Sequence, residues 1–297
     1  MALVRHSMAA AAPADQAAAI PVREFALTDA DFQTLAQLAY EYAGIALSES
    51  KQNLIYSRLS RRLRALRLQS FRANCEYLIA HPPEVENFIN SISTNHTKLF
   101  REAHHFEHFR AHVAVPFAQA ESRKPGGRLR VWSAGCSTGE EPYTIAVVLK
   151  REISDFSRND VRILATDIDT DVLTKAASGE FAPDAITDVP KEYQGYFRRK
   201  AEERKNEKAR VDEDIQSLIV FRRLNLMEPW PFQGLFDAIF CRNVMIYFDA
   251  PTKAALVERF TRQLKLGGWL YIGHSESLIG AHPGLQLVGR TTYRREA

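Results

Sequence analysis

Cysteine is scarce in this chain of 297 residues, and Cys75, Cys136 and Cys241 lie far apart. Their spacing excludes a disulfide framework and a zinc site built on paired cysteines, and it favours a reducing, cytoplasmic compartment. No apolar run approaches eighteen residues, so we expect no membrane-spanning helix. An excess of charge is also lacking. The 39 basic and 36 acidic residues give a net charge of +3, which does not by itself indicate nucleic-acid binding.

What the chain does contain is typical of a globular protein of one or two domains. Its hydrophobic fraction is 45% and its charged fraction 25%. Residues 1–23 are rich in alanine and contain Pro13 and Pro21. Their apolar stretch is too short and too weak for a secretory signal, so we predict a flexible tail there.

Residues 24–93 have helical periodicity and predict a small all-α domain of four helices. Thr28 or Asp29 is suited to cap the first helix, and Gly44 is suited to end it. Ser70 is suited to cap the third.

The second of these helices, over about residues 49–68, carries six cations and no acid between residues 51 and 67. Like charges at helical spacing repel one another, so this excess indicates an acidic partner. Pairing with acids elsewhere in the fold explains the pattern equally well. The cations are Lys51, Arg58, Arg61, Arg62, Arg64 and Arg67, of which Arg58, Arg61, Arg62 and Arg64 are candidates to contact such an acidic partner.

From residue 129 onward, short apolar runs alternate with helical segments. Such alternation predicts a doubly wound α/β domain around a parallel sheet. We assign residues 129–297 to this domain and residues 94–128 to a linker with a connecting helix. Residues 181–223 break the rhythm with mixed charges and short β-like pieces, and we predict an inserted subdomain there. The apolar runs are residues 129–134, 161–165, 237–241 and 268–273.

The first apolar run ends in a glycine-containing turn, from Gly135 to Gly139. Glycine lets a backbone approach a ligand closely, although an ordinary tight turn has the same composition. The turn matches neither the phosphate loop nor GxGxxG, and Glu140 and Glu141 would repel a pyrophosphate. A neutral or cationic ligand therefore fits better.

Asp167 follows the second apolar run, where an acid can accept both hydroxyls of a ribose. A cap of the next helix is a good explanation for Asp169 but a weaker one for Asp167. Together with the turn at Gly135, Asp167 indicates a nucleoside cofactor without phosphates. S-adenosylmethionine has that chemistry, because it combines a ribose, an amino acid and a sulfonium cation.

Two further segments carry polar side chains toward the same edge of the sheet. Residues 94–102 lie at the junction of the domains, and Arg242, Asn243 and Tyr247 follow the third apolar run. A linker and a core aromatic are the plainer interpretations of these segments. His104, His108 and His112 share one helical face, but no cysteine or carboxylate completes a site, so we predict no metal.

These segments resemble the CheR family of chemotaxis receptor methyltransferases, which use S-adenosylmethionine to methylate receptor glutamates. The resemblance extends from Thr28 to Thr292. It rests on six motifs in the family's order: TKLFREAHHF at 97–106, SAGCSTGEEPY at 133–143, TDIDT at 166–170, LNL at 224–226, FDAIFCRNVMIYFD at 236–249 and GHSESL at 273–278.

The resemblance implies a class I, Rossmann-like methyltransferase domain with an inserted antiparallel β-subdomain, preceded by the all-α domain. It implies that Arg101 and Tyr247 are catalytic or position the substrate. It also implies that the partners are receptor methylation helices, with a receptor C-terminal peptide on the β-subdomain in some members. The implied cofactor contacts are Asn95, Thr97, Arg101, Glu141, Asp167, Asn225, Leu226, Arg242 and Asn243.

Two other functions remain as alternatives. One is methylation of a nucleic acid or a small molecule, which would suit the basic helix. Against it, the chain has no NPPY-type sequence and no aromatic series among its arginines. The other is a module that only binds the cofactor or the receptor, which the presence of Arg101, Asp167 and Tyr247 argues against.

Overall fold

The computed structural model describes residues 23–123, 126–153, 155–199, 208–278 and 283–296. The tail predicted at residues 1–23 lies outside these ranges, apart from Arg23. Within them, every helix is too short or too polar to cross a lipid bilayer.

The N-terminal part is a bundle of four helices, as the periodicity predicts. Thr28 caps the first helix in a capping box with Asp31, and Gly44 ends it at φ +70°. Ser70 accepts a hydrogen bond from the Ala73 N–H and caps the third helix. The helices are α1 Asp29–Ala43, α2 Gln52–Leu66, α3 Phe71–Ala80 and α4 Glu84–Ile92, with a 3-10 turn at Glu49–Lys51 before α2.

A continuous helical run connects this bundle to the sheet domain. It consists of α5 Ala103–Phe109, a π-helical turn at Arg110–Ala114 and α6 Val115–Arg123. Phe106 and Phe109 are buried against the sheet, where Phe106 stacks on Phe240 with ring centroids 5.7 Å apart.

The sheet domain is doubly wound around seven strands in the order β6-β2-β1-β7-β8-β10-β9. The first five strands are parallel to one another. Strand β10 runs antiparallel to β8, and β9 runs antiparallel to β10. The strands are β1 Arg128–Ala134, β2 Asp160–Asp167, β6 Ile219–Arg223, β7 Phe236–Cys241, β8 Leu264–Ile272, β9 Leu285–Gly289 and β10 Thr292–Arg295.

Helices cover the two faces of this sheet. The buried side chains of α7 pack on the face that carries Val131 and Ile163, and those of α11 pack on the face that carries Trp132 and Ile239. The sheet-domain helices are α7 Glu140–Glu152, α8 Thr170–Ser178, α9 Lys191–Gln194, α10 Glu213–Gln216 and α11 Ala250–Gln263.

The inserted subdomain is smaller than the predicted range of 181–223. Its antiparallel sheet has the order β3-β5-β4, from Glu180–Phe181, Phe197–Arg199 and Ala209–Val211. Strand β6 instead pairs in parallel with β2, with Ile219 opposite Ile163. The predicted end at residue 223 is therefore wrong, because a short apolar run does not reveal which sheet it joins.

Candidate functional site

A cavity of about 310 Å³ lies between the helical bundle and the carboxyl ends of β1, β2 and β7. This volume is typical of small-molecule sites. All ten residues predicted for cofactor binding or catalysis line it: Asn95, Thr97, Arg101, Glu141, Asp167, Asn225, Leu226, Arg242, Asn243 and Tyr247.

The turn after β1 forms one wall of the cavity. The backbone N–H groups of Gly135 and Cys136 both donate to the Thr166 carbonyl, at 2.8 and 2.9 Å, which ties the turn to the end of β2. Gly135 has φ +81°, and a Cβ added there would lie 2.3 Å from Val244 Cγ2. Only glycine therefore keeps both the backbone conformation and the close approach.

Asp167 is held at the end of β2 by backbone donors. Its Oδ2 accepts from Ser137 N at 2.8 Å, and its Oδ1 accepts from Asp169 N at 3.0 Å. Burial raises the pKa of Asp167 to about 6. Since a carboxylate has about four lone-pair sites, Asp167 keeps acceptor capacity for a hydroxyl donor beyond its backbone bonds. Asp169 caps α8 through Asp171 N and Val172 N, as predicted.

Arg242 is a buried cation between two glutamates. Its guanidinium lies 3.1 Å from Glu141 and 3.3 Å from Glu102, and its side chain is only 2% exposed. It also donates to the Arg101 carbonyl. Ser133 donates to the other oxygen of Glu141 at 2.7 Å. The charges therefore join the 97–102 segment, the start of α7 and the end of β7 into one network.

The pKa values of the two glutamates shift in opposite directions. Burial raises the pKa of Glu141 despite the charge of Arg242. Burial also disfavours the ionised form of Glu102, but hydrogen bonds from His274 and the charge of Arg242 lower its pKa to about 2. The His274 ring nitrogen lies 2.7 Å from Glu102.

Arg101 and Tyr247 have less constrained side chains at the cavity. Arg101 is half-buried and donates to the His96 carbonyl at 2.9 Å. Tyr247 is also half-buried, and its hydroxyl donates to the Thr94 carbonyl at 3.3 Å. The Tyr247 carbonyl accepts from Ala46 N at 2.8 Å, so this residue bridges the bundle and the sheet domain.

The side chains of Asn95 and Asn225, two of the predicted cofactor contacts, both donate hydrogen bonds within the protein. The Asn95 amide donates to Asp169 at 2.8 Å, and the Asn225 amide donates to the Tyr42 carbonyl at 2.5 Å. The first bond joins the segment after α4 to the residues after β2, and the second joins the segment after β6 to α1 of the bundle. Thr97 is half-buried, and Leu226 is buried in the cluster under α11.

Three of the four candidate arginines of α2 pair within the fold. Arg58 donates to the carbonyls of Ile92 and Ser93, Arg62 pairs with Glu84, and Arg64 pairs with Glu24. Intramolecular pairing therefore accounts for most of the charge pattern that first indicated an acidic partner. Arg61 differs, since its side chain is exposed and makes no hydrogen bond or ion pair within the described ranges.

Two acids at the site were not singled out from the sequence. Glu102 pairs with Arg242, and Glu276 accepts backbone hydrogen bonds from Asn243, Ile246 and Gly273. Both lie in the quoted motifs FREAHHF and GHSESL, but only packing shows their partners. The histidine face is structural, with His108 bonded to the Tyr271 hydroxyl at 3.0 Å. The part of the chain that the structure describes contains no group of acids, histidines and cysteines able to hold a metal.

Comparison with known proteins identifies the chain. The family model "CheR methyltransferase, all-alpha domain" matches residues 30–93, and "CheR methyltransferase, SAM binding domain" matches residues 95–294. The chain belongs to the CheR methyltransferase family. It is therefore a methyltransferase that uses S-adenosylmethionine, and its CheR relatives are proteins of chemotaxis.

Curated CheR relatives match over almost their whole length. The chemotaxis protein methyltransferase 2 of Pseudomonas aeruginosa is 43% identical over 91% of this chain and 95% of its own length. The probable chemotaxis protein methyltransferase of Rhizobium etli is 43% identical over 86% of this chain and 96% of its own length. The chemotaxis protein methyltransferase of Escherichia coli is 40% identical over 90% of this chain and 91% of its own length.

The residues at the CheR cavity fit the cofactor's chemistry. Asp167 retains acceptor capacity for a ribose hydroxyl, and Gly135 lets the turn pack directly against the cavity residue Val244, where any other residue would clash. Asp167 lines the cavity with no cation paired to it among the described residues, so its carboxylate suits a hydroxyl or a cationic group better than a phosphate. Leu226, Val244 and Ile168 supply apolar wall for a nucleoside base.

Proposed function

We propose that this CheR-family chain methylates glutamate side chains in the cytoplasmic helices of chemoreceptors, forms glutamyl methyl esters there, and acts in the cytoplasm. Arg101 carries the proposal. It lines the cavity, and no carboxylate among the described residues pairs with its guanidinium. A half-buried cation with unused donors suits an incoming carboxylate.

Methyl transfer to a glutamate carboxylate does not require an acid or a base of the protein. Bound S-adenosylmethionine supplies an electrophilic methyl group on a sulfonium cation. The acceptor glutamate has an ordinary pKa of about 4.3, so it is ionised at neutral pH and needs no general base. The acids that line the cavity agree with this, because Glu141 and Asp167 are both held by hydrogen-bond donors of the protein.

The protein's contribution is to orient the acceptor and to exclude water. We assign Arg101 to hold a carboxylate and Tyr247 to line the methyl path, since both side chains reach the cavity. Orientation of this kind supplies on the order of several kcal/mol of the rate acceleration. Asn95, Thr97, Asp167, Asn225, Leu226, Arg242 and Asn243 would enclose the cofactor, with Glu141 fixing Arg242.

The rim of the cavity suits an acidic helix with apolar neighbours. Lys51 and Lys98 line the cavity and are exposed, and Arg61 lies on the same helix as the cavity residue Leu54. Leu54 and Ile246 are large apolar side chains, 37% and 48% exposed. Cations of this kind steer an acidic segment, and exposed apolar side chains give it contact area.

We propose that the inserted subdomain makes a second contact with the receptor. The subdomain sheet β3-β5-β4 has short edge strands, and an extended peptide can add a strand to such an edge. A receptor C-terminal peptide would bind in this way. Titration of such a peptide against the full chain, with a scrambled peptide beside it, tests this part separately.

The experiment for the main proposal is transfer of labelled methyl from S-adenosylmethionine to the cytoplasmic part of a chemoreceptor. We expect label that mild base releases, as a glutamyl ester requires, and its loss in Arg101→Ala. Arg262→Ala is the matched control, because Arg262 makes only an exposed ion pair on α11. Base-stable label, or equal transfer by Arg101→Ala, would reject the assignment. Nucleic-acid acceptors in parallel test the alternative substrate class.

A further inference from the structure

Glu276 is a buried acid whose partners are backbone groups. Its side chain is 6% exposed, and its contacts within the described residues are to backbone N–H groups and to no cation. Its Oε2 accepts from Gly273 N at 2.6 Å and from Asn243 N at 2.8 Å. Its Oε1 accepts from Ile246 N at 3.1 Å. A single carboxylate therefore joins the loop after β8 to the segment after β7.

The segment after β7 has a backbone that needs such support. Asn243 has φ +60°, in the left-handed region that residues other than glycine rarely adopt. A 3-10 turn follows at Met245–Tyr247, and the first N–H groups of such a turn lack partners within it. Glu276 accepts from Asn243 before the turn and from Ile246 in its middle, so it fixes the segment where its own hydrogen bonds cannot.

This segment forms one wall of the cavity. Asn243, Val244, Ile246 and Tyr247 all line it. The far end of the segment is anchored on the bundle through Tyr247, by the bonds to Ala46 and Thr94 described above. Glu276 is the anchor at the near end, and it lies outside the cavity lining.

Gly273 makes this anchor possible. A Cβ at Gly273 would lie 2.8 Å from Glu276 Oε2, 2.8 Å from Asn243 N and 2.5 Å from Asn243 Nδ2. Any side chain at residue 273 would therefore push the carboxylate and Asn243 apart. Glycine and glutamate in GHSESL act as one unit.

We propose that Glu276 is a positioning residue, which holds Asn243 and Tyr247 at the cavity through backbone hydrogen bonds while touching neither cofactor nor substrate. The activity arm of its test rests on the proposed function, whereas the binding and exchange arms do not. Displacement of reacting groups by about 1 Å can cost on the order of 100-fold in rate.

The test compares Glu276→Gln with the wild-type full chain. Glutamine keeps the shape but has one acceptor oxygen, and its NH₂ group would face a backbone N–H. We expect at least a tenfold rise in the Kd of S-adenosylhomocysteine by calorimetry and faster amide exchange across residues 243–247. We also expect a fall in the kcat of methyl transfer that saturating receptor does not restore.

Asp237→Asn is the control, because Asp237 also accepts a backbone N–H, from Arg130 at 2.8 Å, but at the opposite end of β7. Asp237 pairs with Lys265 as well, so this variant also shows the effect of losing a carboxylate away from the cavity. We expect no change in the Kd and no faster exchange at 243–247 in this variant. Gly273→Ala is a second variant, which leaves every charge in place, and we expect it to show the same effects as Glu276→Gln. It serves as the test if Glu276→Gln folds poorly.

Unchanged Kd and unchanged exchange in both Glu276→Gln and Gly273→Ala would overturn the proposal. Loss of folding stability equal to that of Asp237→Asn, with no selective exchange at 243–247, would also overturn it. Failure of the wild-type chain to methylate any receptor would instead reject the proposed function, and the calorimetry and exchange results would still decide the role of Glu276.

Discussion

Arg242 and Glu141 form an ion pair of 3.1 Å at the carboxyl edge of the sheet, and their side chains are only 2% and 11% exposed. The two residues are 101 positions apart in the sequence. Glu102 approaches the same guanidinium at 3.3 Å. A buried cation that serves two carboxylates sets the geometry of the site, because its removal leaves Glu141 without an ion pair and takes one of the partners of Glu102.

Replacement of Arg242 by methionine should therefore destabilise the protein strongly. Methionine fills similar space but leaves Glu141 buried without a cation and Glu102 with only its histidine contacts, at a cost of about 3–5 kcal/mol. Urea unfolding measures the change. Arg262→Met should cost less than about 1 kcal/mol, because its pair with Glu258 is exposed. Similar costs for the two variants would contradict a buried network.

Glu102 should contribute to the loss of stability in acid. Its pKa is about 2, below its usual value of 4.5. A lowered pKa means that the stabilisation is complete above pH 4.5 and disappears as the pH falls toward 2. Glu102→Gln should be less stable than wild type at pH 7, and the difference should shrink between pH 4.5 and 2. Thermal unfolding across this range measures it, and a constant difference would refute the assignment.

Cofactor affinity should depend on the ionisation of Asp167. Its pKa is about 6, and hydroxyl donors bind the ionised form. The affinity for S-adenosylhomocysteine should therefore fall as the pH drops below 6, by up to about tenfold per pH unit. Calorimetry from pH 8 to pH 5 should show this step in wild type and in Asp237→Asn, and no step in Asp167→Asn. A step that survives in Asp167→Asn must belong to another group.

Two glycines with positive φ separate backbone strain from close approach. Gly135→Ala adds a Cβ 2.3 Å from Val244, whereas Gly126, at φ +103°, has nothing within 4 Å of its added Cβ. Both variants should lose about 1–2 kcal/mol of stability from strain. Only Gly135→Ala should also weaken S-adenosylhomocysteine binding, and Val244→Ala should restore part of that loss. Equal binding by both variants would show that the turn does not shape the cavity.

Arg61 should contribute to receptor methylation without affecting the cofactor. Arg61→Glu should lower kcat/KM for the receptor at low salt, and the difference from wild type should shrink as salt screens the charge. Arg62→Glu should instead reduce the stability of the bundle, because it breaks the pair with Glu84. Methylation and unfolding assays on both variants distinguish these effects. No salt-dependent loss in Arg61→Glu would remove α2 from receptor recognition.

The local pattern of the chain was sufficient for most secondary structure. Thr28, Gly44, Ser70 and Asp169 cap or end helices where the sequence predicts, because each acts on groups within a few residues of itself. The four apolar runs form β1, β2, β7 and β8 of the parallel sheet. The CheR motifs also predicted which residues line the cavity, and all ten do so.

Two outcomes depended on contacts between distant parts of the chain. Strand β6 joins the main sheet through its register with β2, and the five residues of β6 do not by themselves encode this pairing. Three arginines of α2 pair with acids and carbonyls 22 to 40 positions away. A run of like charge on one helix is therefore not enough to predict that its side chains are free to bind a partner.

The sequence by itself determined the order of helices and strands, the class of cofactor and the set of residues at the cavity, because periodicity, caps and motifs are local. The tertiary structure alone decided which charged side chains pair within the fold and which remain available for a ligand. Arg242 is paired and Arg101 is available, although both are arginines in motifs of the same family. That difference comes from burial and from partners brought together only by packing, since the strength of an ion pair depends on the solvent it excludes.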